Sequence, residues 1–293
     1  MDYRLYATKV VSRHLYTFFA EEKSVRCGCD IESLHRMRVA SRRLRAVLRT
    51  FRGVFPEKKV RKWRKAVRAI GRVLGVARQL DIQLRFLSQA THAPKNPAYA
   101  VGVEILSARL RKSRAQAQKN IILVLNDVKV KKRLTGLRVY LKKSILNISE
   151  INEKEFGLRV KELVLARINW LLRYEPYVAR PEKTKELHRM RVAAKNLRYT
   201  LEVLKPLYGR TIESYIRAAR TIQDVLGDLH ELDVWLQFLP EVSGSRKDNG
   251  MKKTALCLEA HCAAERARTY KEFVVKWNVL LQRNAWEKLK RAI

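Results

Sequence analysis

The sequence predicts an all-α protein built as a tandem duplication of a four-helix bundle, the two bundles related by a pseudo-twofold axis. Three observations carry that prediction. Helix breakers are scarce, with 11 Gly and 7 Pro in 293 residues, and the chain is rich in Leu, Arg, Lys and Ala, which form helices readily. Apolar residues recur at alternating steps of three and four, the period of a half-buried helix. Finally, Leu34-His-Arg-Met-Arg-Val-Ala40 returns unchanged as Leu187-His-Arg-Met-Arg-Val-Ala193, an offset of 153 residues.

The match continues well beyond that heptapeptide. Leu44-Arg45 pairs with Leu197-Arg198, and Leu48 with Leu201. At an offset of 152, Val73-Leu-Gly75 pairs with Val225-Leu-Gly227, Leu80-Asp81 with Leu232-Asp233, and Arg114 with Arg266. Self-similarity on this scale makes each half one structural unit.

Taken in order, the first half reads as helices at about 3–22, 31–54, 57–90 and 98–126. The second reads as helices at about 156–175, 183–207, 210–239 and 251–281. Breaks are expected where turn chemistry clusters: Cys27-Gly-Cys-Asp30, Phe55-Pro56, Pro94-Lys-Asn-Pro97, Arg180-Pro181, Tyr208-Gly209 and Ser243 to Gly250. Asp30 and Ser33 mark the start of the second helix, because short polar side chains satisfy free N–H groups there. Residues 129–146 read as a basic amphipathic helix joining the halves, and about 282–292 as a tail helix. The chain 1–293 is thus one domain of two repeats: a four-helix unit at 1–128, a connecting helix and linker at 129–153, and a second unit with its tail helix at 154–293.

The charge narrows the function. Sixty-three Lys and Arg against 28 Asp and Glu leave a net charge of +35 at pH 7. Solubility alone needs a net charge of only roughly 2–8 on a small domain. A surplus this large points to a polyanionic partner, and nucleic acid, inorganic polyphosphate and an anionic membrane surface all qualify. The longest purely apolar run, Ile121 to Leu125, is far short of a membrane span. The cysteines, Cys27-Gly-Cys29 and Cys257-x4-Cys262, match no zinc spacing and read as isolated thiols of a reducing compartment. No metal or cofactor is expected.

The charge is also patterned. On the second helix, Leu34, Met37, Ser41, Leu44, Leu48, Phe51 and Phe55 form a core-facing seam. One residue further on from each of the first five stand His35, Arg38, Arg42, Arg45 and Arg49, about 100° round the helix and beside the core. The repeat has Leu187, Met190, Ala194, Leu197 and Leu201 inward, with His188, Arg191, Lys195 and Arg198 alongside and Glu202 in the last place. Like charges at i, i+4 repel, so a row of arginines without a carboxylate makes sense if an anion neutralises it. Arginine suits that task, since its planar fork donates paired hydrogen bonds to phosphate oxygens.

The third helix adds Arg61, Lys65, Arg68 and Arg72, whose counterparts include Arg217 and Arg220 but also Asp224 and Asp228. Arg114, Arg220 and Arg266 complete the candidate phosphate-binding set. Asp81 and Asp233, which recur, are expected to brace arginines internally. Asp224, Asp228 and Glu231 share a helical face, and salt bridging to the basic stripes is their expected use.

These residues resemble the CHAD family, the conserved-histidine α-helical domain, whose hallmark is a duplicated H-x-x-R-x-x-x-[RK]-x-x-R helix. That motif stands here as His35/Arg38/Arg42/Arg45 and His188/Arg191/Lys195/Arg198. The resemblance implies two four-helix bundles, a basic cavity or surface, and binding of inorganic polyphosphate. Many members of the family carry a neighbouring CYTH-type triphosphatase domain with an E-x-E-x-K signature. The nearest string here, Glu153-Lys-Glu155-Phe-Gly157, lacks the lysine, so a stand-alone CHAD protein is expected. The expected location is cytoplasmic, with polyphosphate granules, or nuclear, without a signal peptide.

The rival readings are weaker. No Gly-rich phosphate loop and no nucleophile–base motif is present, so catalysis is not expected. Nucleic-acid backbone binding shares the electrostatics. Single-strand binders interleave aromatics with basic groups, however, and the stripe at 35–49 holds none. A scaffold receiving an acidic protein tail is a third reading.

Overall fold

Asp30 opens the helix that carries the first stripe. Its carboxylate accepts hydrogen bonds from the amides of Glu32 (2.8 Å) and Ser33 (2.9 Å), and the Ser33 hydroxyl donates back to the Asp30 carbonyl. These bonds, first that from the Glu32 amide, hold the carboxyl below its ordinary range.

The computed structural model describes residues 3–28, 30–90, 97–146, 153–243 and 249–293. Among them are eleven α-helices and no strand: α1 (Tyr3–Ala20), α2 (Glu22–Cys27), α3 (Ile31–Thr50), α4 (Glu57–Ala90), α5 (Pro97–Asn126), α6 (Val128–Leu146), α7 (Glu153–Leu172), α8 (Thr184–Tyr208), α9 (Glu213–Ser243), α10 (Asn249–Gln282) and α11 (Ala285–Ala292). The expected breaks at Pro94–Asn96 and Gly244–Asp248 lie outside the described residues. No helix among those described is long and apolar enough to cross a membrane.

The chain divides into two units, residues 1–95 with 103–157, and residues 96–102 with 158–293. In the first, α1 packs on α3, α3 on α4, α4 on α6, and α6 back on α1. The helix expected to join the halves is therefore a wall of the first bundle. Its inward residues Leu134 and Leu137 are buried. Trp286 and Leu289 of α11, 152 residues on, are buried as well, and α11 packs on α9 and α10. The tail helix thus plays in the second unit the part that α6 plays in the first.

The seam residues Leu34, Met37, Ser41, Leu44, Leu48, Phe51 and Phe55 are all buried, as are Leu187, Met190, Ala194, Leu197 and Leu201. Helix α3 nevertheless stops at Thr50, four residues before the expected end, because Gly53 takes a left-handed φ of 101° and turns the chain. Phe51 and Phe55 reach the core from that turn. Helices α3 and α4 lie close together: a Cβ added at Gly71 would stand 2.9 Å from the Ser41 hydroxyl.

Internal braces recur at the repeat offset. Arg114 donates to Asp81 at 2.7 Å, and Arg266 to Asp233 at 2.5 Å. The Val25 carbonyl accepts from Gln118, and the Val178 carbonyl accepts from the Tyr270 hydroxyl. The same two positions are tied with different donors. Cys27 is disulfide-bonded, a departure from the isolated thiols expected, whereas Cys257 and Cys262 are free.

Candidate functional site

The seam of α3 faces the core, so the residues one step round emerge at its edge, half-buried and alongside α4. There Arg45 meets Arg61, Arg64, Lys65, Arg68 and Arg72 of α4, and with Ala69 these line a cleft of about 440 Å³. Among the described residues none of the six cations has a carboxylate within 4.0 Å. Arg42 adjoins the cluster and acts electrostatically on Arg45.

The cluster repels itself. Burial first, then the charges of Arg68, Arg64 and Arg42, push the Arg45 guanidinium below its ordinary pKa. Burial and the charges of Arg68 and Arg52 do the same to Arg64. Along α4 the like-charged i, i+3 and i, i+4 pairs cost on the order of 1–2 kcal/mol together. No carboxylate among the described residues offsets that cost.

Arg64 was not among the expected site residues. It stands three residues after Arg61 and four before Arg68, so helical spacing already placed it on the basic face. Arg78 was also missed: it approaches Glu32 at 4.0 Å and acts on the His35 ring. Burial, then Arg78, lowers the His35 pKa, with Glu32 pulling the other way, so the imidazole is neutral at pH 7. Arg38 and Arg49 flank the seam as expected, each engaged in a contact of its own.

The second unit uses the same frame differently. His188 lies against His230, their ring centroids 4.1 Å apart and their planes tilted by 48°. Burial and then the neighbouring cations Arg191 and Lys195 lower the His188 pKa, and burial with His188 takes His230 down to about 4. The Arg191 side chain runs over Gly227, where an added Cβ would stand 3.5 Å from its Nε. Lys195 lies on the same edge and is engaged in a contact of its own.

Arg198 and Arg220 both reach the Glu202 carboxylate, at 3.4 and 3.5 Å. Glu213 holds Lys205 at 2.5 Å and approaches Arg217 at 3.9 Å. The expected site is therefore not brought together as one set. Arg45, Lys65, Arg68 and Arg72 converge, Arg198 and Arg220 are matched by a carboxylate, and Arg114 and Arg266 are braces on Asp81 and Asp233. Among the described residues no group of three or more His, Cys, Asp or Glu is arranged to hold a metal ion, Asp224, Asp228 and Glu231 included.

Comparison with known proteins agrees with this architecture. The CHAD domain matches the sequence over residues 9–240. Among solved structures, the CHAD domain from the plant Ricinus communis superposes with a TM-score of 0.71 at 21% identity, covering 94% of this chain and 91% of that one. PptA from Streptomyces chartreusis gives 0.71 at 13% identity, covering 95% of this chain and 100% of that one. At these identities the likeness is one of fold. No curated protein matches the sequence.

Proposed function

The chain belongs to the CHAD family, and on that premise we propose that it binds inorganic polyphosphate, without catalysis, in the α3–α4 cleft of the first unit. The observation that carries this reading is the uncompensated charge: six Arg and Lys side chains line one cleft, and no carboxylate among the described residues neutralises them. Guanidinium groups suit a chain of phosphates, because each can donate two parallel hydrogen bonds to neighbouring oxygens. The lining holds no carboxylate, hydroxyl, thiol or imidazole to act as nucleophile or general base. It therefore favours holding an anion over transforming it.

The lining also holds no aromatic ring, which disfavours single-stranded nucleic acid held by base stacking. Four of the five tryptophans, Trp63, Trp235, Trp277 and Trp286, are buried in the core. Nucleic-acid backbone would compete for the same charge. A cytoplasmic or nuclear location with access to polyphosphate belongs to the same proposal.

The test is a titration of the full chain with long-chain polyphosphate, pyrophosphate, RNA and DNA at matched ionic strength, repeated at several salt concentrations. Polyphosphate is expected to bind tightest, with affinity falling steeply as salt rises, because several ion contacts release counterions. Equal or tighter binding of RNA or DNA would replace polyphosphate as the partner. A flat salt response would remove the cleft from the explanation.

A further inference from the structure

Arg45 and Arg68 of the first unit correspond, at offsets of 153 and 152, to Arg198 and Arg220 of the second. In the second unit one oxygen of Glu202 stands between the two guanidinium groups, 3.4 Å from Arg198 and 3.5 Å from Arg220. In the first unit the position of Glu202 is held by Arg49. Arg45 and Arg68 there act on each other as bare like charges. Glu213, which holds Lys205, likewise stands where the first unit has Arg61.

We infer that the second unit contains a latent phosphate site whose resident anion is the Glu202 carboxylate, and that the equivalent place in the first unit, between Arg45 and Arg68, receives a phosphate of the ligand. The inference rests on the polyanion-binding reading of the first cleft and adds to it where the anion sits and why the halves differ. Carboxylate and phosphate are both anions that a guanidinium pairs with, so one can stand in for the other; Glu202 meets the two guanidinium groups as ion pairs. The exchange is lopsided, because Glu202 sits one turn from Arg198 on the same helix, so a dissolved anion must displace an intramolecular partner. Its side chain is 19% exposed and that of Arg198 12%, so salt screens the pair weakly. One chain therefore offers one open phosphate site and one that its own carboxylate keeps shut.

Calorimetric titration of the full chain with tripolyphosphate and with long-chain polyphosphate tests this. Arg45→Ala with Arg68→Ala is expected to weaken binding about tenfold or more. Adding Glu202→Gln to that background is expected to restore about tenfold, and adding Arg198→Ala as well to remove the gain. Because Glu202→Gln leaves Arg198 without its carboxylate, the single variant is also expected to melt lower than the wild type in a chloride buffer. Tripolyphosphate should then raise its Tm more than it raises that of the wild type. If the wild type binds polyphosphate but Glu202→Gln yields neither the gain nor the larger Tm rise, the latent site is refuted and the first cleft stands. If the wild type does not bind, yet tripolyphosphate rescues Glu202→Gln, the proposed function fails and the latent site survives.

Discussion

The α3–α4 face of the first unit and the α8–α9 face of the second share seam, braces and helix order, and differ in the charge along their edges. Arg49, Arg61, Arg72 and Val76 of the first become Glu202, Glu213, Asp224 and Asp228 of the second. The seams of the two faces are equally buried, so the exchanges leave the core untouched. Their effect is electrostatic. One face keeps its positive charge uncompensated; on the other Glu202 and Glu213 pair with Arg198, Arg220, Lys205 and Arg217, while Asp224 and Asp228, expected to bridge to the basic stripes, make no ion pair among the described residues. After a duplication the buried positions are constrained by packing, while positions at the edge of the seam are free to change sign. The family motif survives in both halves, yet its last arginine faces a carboxylate only in the second, where Glu202 stands 3.4 Å from Arg198.

The comparison can be broken most forcefully at what the units share. Asp81→Ala and Asp233→Ala each strand a largely buried arginine, Arg114 or Arg266, and each is expected to cost about 3–5 kcal/mol in chemical denaturation. Similar losses in both units would show that the braces are structural and equivalent. A loss in only one would show that the shared frame is not shared energetically.

The next largest effect concerns what they do not share. Arg64→Ala with Arg72→Ala should weaken polyphosphate binding about tenfold, with helicity by circular dichroism unchanged. Arg217→Ala with Arg220→Ala should change it less than about twofold, since both side chains face carboxylates. Equal losses from the two pairs would erase the asymmetry.

A pH dependence sharpens the contrast between the histidines. His230 titrates near 4 in the folded chain and near 6.5 unfolded. Between those values the unfolded state binds more protons, so stability falls as pH drops from about 6.5 towards 4. His230→Gln should flatten that fall in melting curves taken across this window. Its counterpart in the first unit is Arg78, which does not titrate there but lowers the His35 pKa, so Arg78→Gln should alter the slope only through His35 and less than His230→Gln does.

Effects of opposite sign are expected at two glycines of α4. Gly75→Ala meets nothing within 4 Å and should stabilise α4 by about 1 kcal/mol through helix propensity. Gly71→Ala presses on Ser41 and should destabilise by about 1–3 kcal/mol. Thermal melts separate the two signs.

The amino-acid sequence by itself determined the all-helical class, the repeat, both seams, the Asp30 cap and the family, because helical period and capping chemistry are local and repeat identity needs no structure. It also marked Asp81 and Asp233 as brace residues, though not that Arg114 and Arg266, read as phosphate ligands, are the residues they hold. Three matters were decided only by tertiary structure. The first was the place of α6 in the wall of the first bundle, since its amphipathic pattern does not say which neighbour covers its apolar side. The second was the early end of α3 at Thr50, before the turn at Gly53. The third was which arginines stay uncompensated, because charge pairing depends on the angstroms between side chains of different helices, and those distances are not written in the spacing along any one of them.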